Sequence, residues 1–334
     1  ADLSLKTMSL KNKLMNEVHA DTPMKATSKV SIIGAGQVGM SCAISILQQH
    51  IADELALVDR VADKLKGEAL DLLHGSLFLK SKISADTDFL VTEDSKVCII
   101  CAGVRQAVGE VKRRQLQKNI ATFKEIIPQL AKHSPSAVLL VVTIPVDPMT
   151  YVAWKLSGFP KHRVIGIGTD LDTARFRFLL GAKLRINPIS VHAYIIGEQG
   201  DDSVAIWSSA NVAGVNLEKL DEKLANEQGE QIHRKVIEST HDVIKLKGYT
   251  SWAIGLSVAN IVNAILKNIR SIHLVSVNAK DEHNITSDVF LSLPCVLGIT
   301  GVCGILKQPL KEKEETKLKS SVENLLRIQR EISL

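Results

Sequence analysis

Three glycines and an aspartate carry the first chemical signal in the 334-residue chain. An apolar strand, Val30 to Ile33, enters the turn Gly34-Ala35-Gly36-Gln37-Val38-Gly39, and a helix-like run follows. A second apolar strand, Leu55-Ala56-Leu57-Val58, ends in Asp59, 20 positions after Gly39. Each part has a job in holding a dinucleotide. Gly34 permits the tight turn, and Gly36 lets a pyrophosphate approach the backbone. Gly39 lets helix and strand pack closely. The helix start points free N–H groups at the phosphates. Asp59 can accept both ribose hydroxyls, which favours NAD over NADP, a preference that the neighbouring Arg60 weakens slightly. Glycine turns of this kind also occur in α/β folds that bind no nucleotide. The strand before, the helix after and the acid at this distance together favour the cofactor.

The elements that must position such a site are legible as an alternation. Val61 to Leu73 has a helical apolar face formed by Leu65, Ala69, Leu72 and Leu73. Val97 to Ala102 is a continuous apolar run, as suits a strand buried on both faces of a parallel sheet. A charged stretch follows from Arg105 to Lys118. A helix is then predicted over Ile120 to Leu130, and a buried strand over Ala137 to Val142. Strand and helix alternating in this way argue for a doubly wound sheet. Further on come a helix from Leu171 to Leu184 and a strand from Ile195 that ends in the turn Gly197-Glu198-Gln199-Gly200-Asp201-Asp202. Long helices are predicted over Ile232 to Lys247, Trp252 to Arg270 and the amphipathic tail Glu312 to Ile332. Residues 1–28 are weakly patterned and are expected to form an arm, with Met8 a candidate start. The divisions expected are an arm at 1–28, an NAD-binding domain at 29–165 and a substrate domain at 166–334. The helix at 250–270 is expected to pack back on the NAD domain.

Bulk composition excludes several classes. The chain is 45% hydrophobic and 23% charged with a net charge of +5, as in a globular protein. It has no dense Lys/Arg block with interleaved aromatics, so nucleic acid is not expected. No apolar run reaches the ~18 residues of a membrane span, and no secretory signal opens it. Its five cysteines, Cys42, Cys98, Cys101, Cys295 and Cys303, have no metal-ligand spacing. Most lie in apolar runs, as expected of buried thiols in a reducing compartment.

From about residue 9 to 334 the sequence resembles the animal L-lactate dehydrogenases. The resemblance is carried by Gly34 to Met40, Asp53 to Asp59, His74-Gly75-Ser76-Leu77-Phe78-Leu79 and Pro145-Val146-Asp147. It continues through Leu171-Asp172-Thr173-Ala174-Arg175-Phe176-Arg177 and Lys247 to Gly255. It implies a Rossmann doubly wound parallel sheet plus a mixed α/β substrate domain, a cytoplasmic homotetramer, and NAD-linked interconversion of pyruvate and lactate. It implies that Arg175 grips the substrate carboxylate, a task suited to a planar fork. Asp172 stands where the family orients its catalytic histidine, Thr250 where it contacts substrate, and Arg105 near the cofactor phosphates.

Several family positions are altered. The family turn reads Gly-Glu-His-Gly-Asp, and here Gln199 takes the histidine position. An amide donates a hydrogen bond but delivers no proton near neutrality, and general acid–base catalysis is typically worth about 10²–10⁴-fold. Asp172 is then expected to accept from the Gln199 amide. Lys112 takes the place of the mobile-loop arginine, keeping charge without the fork, with Arg113 adjacent. Ala107 replaces a glutamine that helps select pyruvate. Ile144 replaces an asparagine beside the nicotinamide, and Asp170 replaces another asparagine. His192, seven residues before Gln199, and His74 are expected to be hydrogen-bonded structural histidines. Two functions follow: a slow dehydrogenase acting on a 2-keto or 2-hydroxy acid, or an NAD-binding protein that performs no catalysis.

Overall fold

A computed structural model of the chain describes residues 28–104, 112–221, 224 and 226–334. Its first half is a parallel sheet. Strands β1 (Lys29–Ile33), β2 (Glu54–Val58), β3 (Lys82–Asp86), β4 (Val97–Ile100), β5 (Val138–Val141) and β6 (Val164–Gly166) lie in the order β3-β2-β1-β4-β5-β6. All of these pairings are parallel. Strands β2, β4 and β5 are buried along their whole length, which explains their almost wholly apolar sequences; the exception, Glu54 at the start of β2, pairs with Lys29. From β1 the chain steps outward to β2 and β3, then crosses back to β4 on the other side of β1. Such a reversal opens a crevice at the carboxyl ends of β1 and β4, where open α/β sheets bind ligands. The Gly34 turn and the segment beginning Cys101 both lie there.

Helices α1 (Gln37–Gln48), α2 (Ala62–His74), α3 (Lys112–His133), α4 (Val146–Ser157) and α5 (Asp170–Leu184) connect these strands or follow β6. Their apolar sides form two clusters. One joins α1 to the sheet through Cys42, Ala43, Ile46 and Leu47. The other joins α3 and α4 through Leu116, Ile120, Phe123, Ile127, Met149 and Val152. Helix α3 is longer than the predicted 120–130. Polar residues such as Lys118 and Gln117 on its outer face masked the extension, while the buried Leu116 and Ile120 continue the inner stripe.

The second half turns antiparallel. Strands β7 (Val191–Gly197), β8 (Ser203–Val212), β9 (Val215–Asn216), β10 (Ile272–Asn278), β11 (Phe290–Gly298) and β12 (Gly301–Ile305) extend the same sheet outward from β6 in the order β10-β11-β7-β8-β9, with β12 on β11. Helices α6 (Leu217–Leu220), α7 (Glu227–Lys247), α8 (Trp252–Leu266) and α9 (Glu312–Arg330) complete the fold. Helix α7 starts earlier than the predicted Ile232, and α8 stops before the predicted Arg270. Asn268 and Arg270 both have positive φ, which ends the helix in a turn. Helix α8 runs against α1: the Ser41 hydroxyl donates to the Ser251 carbonyl at 2.9 Å. Of the cysteines, Cys42, Cys98 and Cys295 are buried, Cys101 is half-buried and Cys303 is exposed. Burial pushes the Cys98 thiol up to about 12. Among the described residues no helix is long and apolar enough to cross a membrane.

Candidate active site

The cofactor end of the crevice is built from backbone. Gly34 has φ +101°, a conformation that side-chain-bearing residues rarely adopt, and a Cβ there would lie 2.7 Å from the Ala102 amide nitrogen. A Cβ on Gly39 would overlap the Gly34 carbonyl oxygen, so the helix can sit this close to the turn only with glycine. At Gly36 the opposite holds: a Cβ would meet nothing within 4 Å. The missing side chain therefore leaves open space in front of the helix start. No side chain caps α1 at Gly36, and the start of a helix is where backbone N–H groups can bind phosphate oxygens. Asp59 is fixed at the end of β2, with one carboxylate oxygen accepting from the Ala35 amide at 2.8 Å and the other from the Val61 amide at 3.0 Å. These residues fit a dinucleotide.

The substrate end is built from side chains at the starts of two helices and one strand end. The cis Ile144-Pro145 peptide leads into α4, and the Ile144 carbonyl accepts from the Asn119 amide of α3 at 2.8 Å. The same Asn119 accepts from Val104 N–H at 2.7 Å, joining the ends of two loops. The Ile144 side chain stands 58% exposed at the mouth. Asp147 is almost fully buried in the first turn of α4. Its carboxylate accepts from the Gln199 backbone N–H at 2.8 Å and from the Ser276 hydroxyl at 2.6 Å. One acid thus fastens the β7–β8 turn to the other half of the molecule. Burial pushes its carboxyl up to about 6, opposed by these two hydrogen bonds and reinforced by the nearby charge of Asp172.

Asp172 and Arg175 lie one turn apart on α5 and pair with each other, Nη1 to Oδ1 at 2.9 Å. The expectation that Asp172 accepts from the Gln199 side-chain amide is corrected: the guanidinium, which brings a full charge, takes the carboxylate instead. Burial raises the Asp172 carboxyl, and Arg175 pulls it back down. Asp170 is also engaged. Its Oδ2 accepts from the Ser257 hydroxyl of α8 at 2.5 Å, and its Oδ1 lies 3.4 Å from Nδ1 of the buried His273 on β10.

Thr250 is half-buried just ahead of α8. Arg105 and Ala107 lie outside the described residues, and Lys112 is described only as the backbone start of α3. His192 is not a structural histidine; it stands exposed on β7, opposite Asn211, and His74 is exposed at the end of α2. From sequence, Asp147 was noted only as part of the Pro145-Val146-Asp147 motif, with no role, and Ser276 and Asn119 were not singled out. Asp147 had a signal, since a carboxylate following Pro145-Val146 at a strand end beside an apolar helix needs partners. Ser276 and Asn119 had none, because their roles depend on contacts far away in the chain.

Residues 28–166 match the model of the lactate/malate dehydrogenase NAD-binding domain. Residues 169–333 match that of the lactate/malate dehydrogenase α/β C-terminal domain. The chain belongs to the lactate/malate dehydrogenase family. It is 54% identical over 330 residues to the L-lactate dehydrogenase A chain of Sceloporus undulatus, covering 97% of this chain and 99% of that one. It is 53% identical to that of Columba livia with the same coverage, 97% and 99%. Identity to that of Champsocephalus gunnari is 52%, over 98% of this chain and 100% of the relative. NAD is the cofactor of this dehydrogenase fold, and Gly34, Gly36, Gly39 and Asp59 all fall within the NAD-binding match.

Proposed function

We propose that this family member is an NAD-linked oxidoreductase of pyruvate and lactate, or of a close 2-keto and 2-hydroxy acid pair, that turns over well below the usual range. The observation that carries this reading is the nearly buried Asp172–Arg175 pair on α5, near Asp147, which holds the backbone of the Gln199 turn. Arg175 would bind the substrate carboxylate, with Thr250 beside it. Bound NADH supplies the hydride. The Gln199 amide would donate a hydrogen bond to the keto oxygen, orienting it without protonating it, so the alcohol proton would come from water. The exposed Ile144 gives no polar contact at the reacting carbon, but its apolar surface would help exclude solvent. Lys112 would bring positive charge to the closed site, with Arg105 on the cofactor phosphates and Ala107 widening the pocket.

A second reading, an NAD-binding protein without catalysis, draws support from the same place. By family position the altered residues Gln199, Lys112, Ile144 and Ala107 all belong to the chemistry, while the glycines and Asp59 of the cofactor turn are unaltered. Loss of NADH absorbance with pyruvate, measured at high enzyme concentration, separates the two. Slow pyruvate-dependent turnover is expected. No turnover with NADH bound in calorimetry favours the second reading, and no NADH binding sinks both.

We also infer a cytoplasmic homotetramer. Two apolar surfaces support the assembly. Leu73, Leu77 and Phe78 stand 43%, 91% and 81% exposed at and beyond the end of α2. Ile244, Leu246, Trp252 and Leu256 form a second exposed group on α7 and α8. Patches of this kind are covered by partners in stable assemblies. Light scattering that gives a monomer would refute it.

A further inference from the structure

We infer that Asp172 is an internal competitor for Arg175, so that a substrate carboxylate binds by displacing a carboxylate of the protein itself. The inference rests on the keto-acid reading above and specifies how its anion site is governed. Asp172 and Arg175 are 14% and 18% exposed as side chains and meet at 2.9 Å. They form a nearly buried ion pair, and removing one partner from such a pair leaves the other charge unpaired in a poor solvent. Gln199 is what makes the pair available. A cationic ring in that position would claim Asp172, but a neutral amide cannot match the guanidinium. The Gln199 backbone N–H cannot compensate, because Asp147 already holds it.

The surrounding charges set the sign of the effect. From α4, Asp147 faces Asp172 with like charge. On α5 itself, Asp170 is held by Ser257 of α8 and faces His273 of β10. Glu198, in the β7–β8 turn, accepts from Asn324 of α9 at 3.1 Å. When an incoming anion draws Arg175 away, Asp172 loses its one bonded cation. It then remains buried between Asp147 and the new carboxylate. A proton from solvent neutralises it. Anion binding therefore takes up a proton at Asp172 and tightens as pH falls. The site favours small monoanions, whose single carboxylate can take over the guanidinium fork without adding a further charge beside Asp147.

Oxamate, an unreactive isostere of pyruvate, is the probe. Its affinity for the NADH-saturated protein is measured by calorimetry from pH 6 to pH 8, in buffers of different ionisation enthalpy. The intact protein is expected to bind more tightly at low pH, with proton uptake. Asp172→Asn is expected to bind about tenfold more tightly at pH 8, on the scale of one charge-assisted hydrogen bond, with proton uptake lost. Unchanged NADH affinity would show that the variant is folded. Should the variant not fold, pH-independent oxamate binding by the parent alone would overturn the inference. Equal or weaker binding by Asp172→Asn also overturns it, as does proton uptake that persists in the variant, which would belong to Asp147. If both proteins bind NADH and neither binds oxamate, the keto-acid reading itself fails and the inference with it.

Discussion

The two ends of the crevice are held together by different kinds of atoms. At the cofactor end the working groups are main-chain N–H groups and the spaces left by absent side chains. The Asp59 side chain there is pinned by two backbone amides. At the substrate end the groups are charged side chains that bond to each other: Asp172 to Arg175, and Asp147 to Ser276 and the Gln199 backbone. A backbone cradle tolerates no change at its glycines and little drift in its surroundings. A side-chain constellation can lose one member and re-form around the loss. Here, with Gln199 in the neighbouring turn, Asp172 is paired with Arg175.

This contrast is broken most severely at Gly39. Any Cβ there overlaps the Gly34 carbonyl oxygen, and backbone cannot yield as a flexible side chain can. Gly39→Ala is expected to abolish NADH binding and to destabilise the fold by several kcal/mol, as overpacking against main chain does. Chemical denaturation with NADH titration checks both. A variant with parental affinity would mean that the cradle is softer than its geometry. At the other end, Arg175→Gln is expected to leave NADH binding unchanged and to weaken oxamate by about a hundredfold or more, the cost of losing a charged, bidentate partner. Loss of NADH affinity in this variant would show that the two ends are not separable.

Asp147 links the two halves, and its carboxyl is raised from 3.8 to about 6. The folded state therefore binds this proton more tightly than the unfolded chain. Its contribution to stability is greatest below about pH 4, falls as pH rises to about 6, and is constant above that. The fall amounts to about 3 kcal/mol. His233, lowered to about 4 by burial, contributes an opposite slope from about pH 4 to 6.5, so the parent curve alone is not diagnostic. The difference between Asp147→Asn and the parent is. It is expected to shift in the variant's favour by up to about 3 kcal/mol between pH 4 and pH 7, followed by urea denaturation at each pH. A flat difference would mean that Asp147 keeps its charge at no cost.

The same division explains what could be read in the sequence. The cofactor turn was legible because spacing alone encodes a backbone cradle: Gly34, Gly36, Gly39 and Asp59 sit in one βαβ unit, within local reach of each other. The parallel half of the fold was legible for a similar reason, since β4 and β5 are unbroken apolar runs. The substrate end depends on contacts between residues far apart in the chain. Asp147 meets Ser276 across 129 positions, and Asp170 meets Ser257 across 87. No periodicity reports such pairs. The partner of Asp172 was misjudged because two donors compete for it, and only relative charge and reach decide between a neutral amide and a guanidinium one helical turn away. His192 was expected to be hydrogen-bonded from its place in the family pattern alone, and a pattern of residue types does not report exposure.

The mildest test returns the missing member to the constellation. Gln199→His restores a titrating group beside the proposed position of the keto oxygen. General acid–base catalysis offers about 10²–10⁴-fold, but the gain here is limited twice over. The new ring must first take Asp172 from Arg175, and Ile144 still presents no polar group. A rise of about 10–100-fold in pyruvate reduction is expected, with a new pH inflection in the histidine range. His192→Ala, on an exposed strand position seven residues upstream, is expected to change nothing in either the parent or the Gln199→His protein. If His192→Ala alone abolishes the residual rate, the proton in the parent travels through that histidine and not through water. If Gln199→His gains no rate yet binds oxamate more tightly, the ring has freed Arg175 without delivering a proton. The substrate end would then be a binding site that has lost its chemistry, and it would differ from the cofactor end in function as well as in construction.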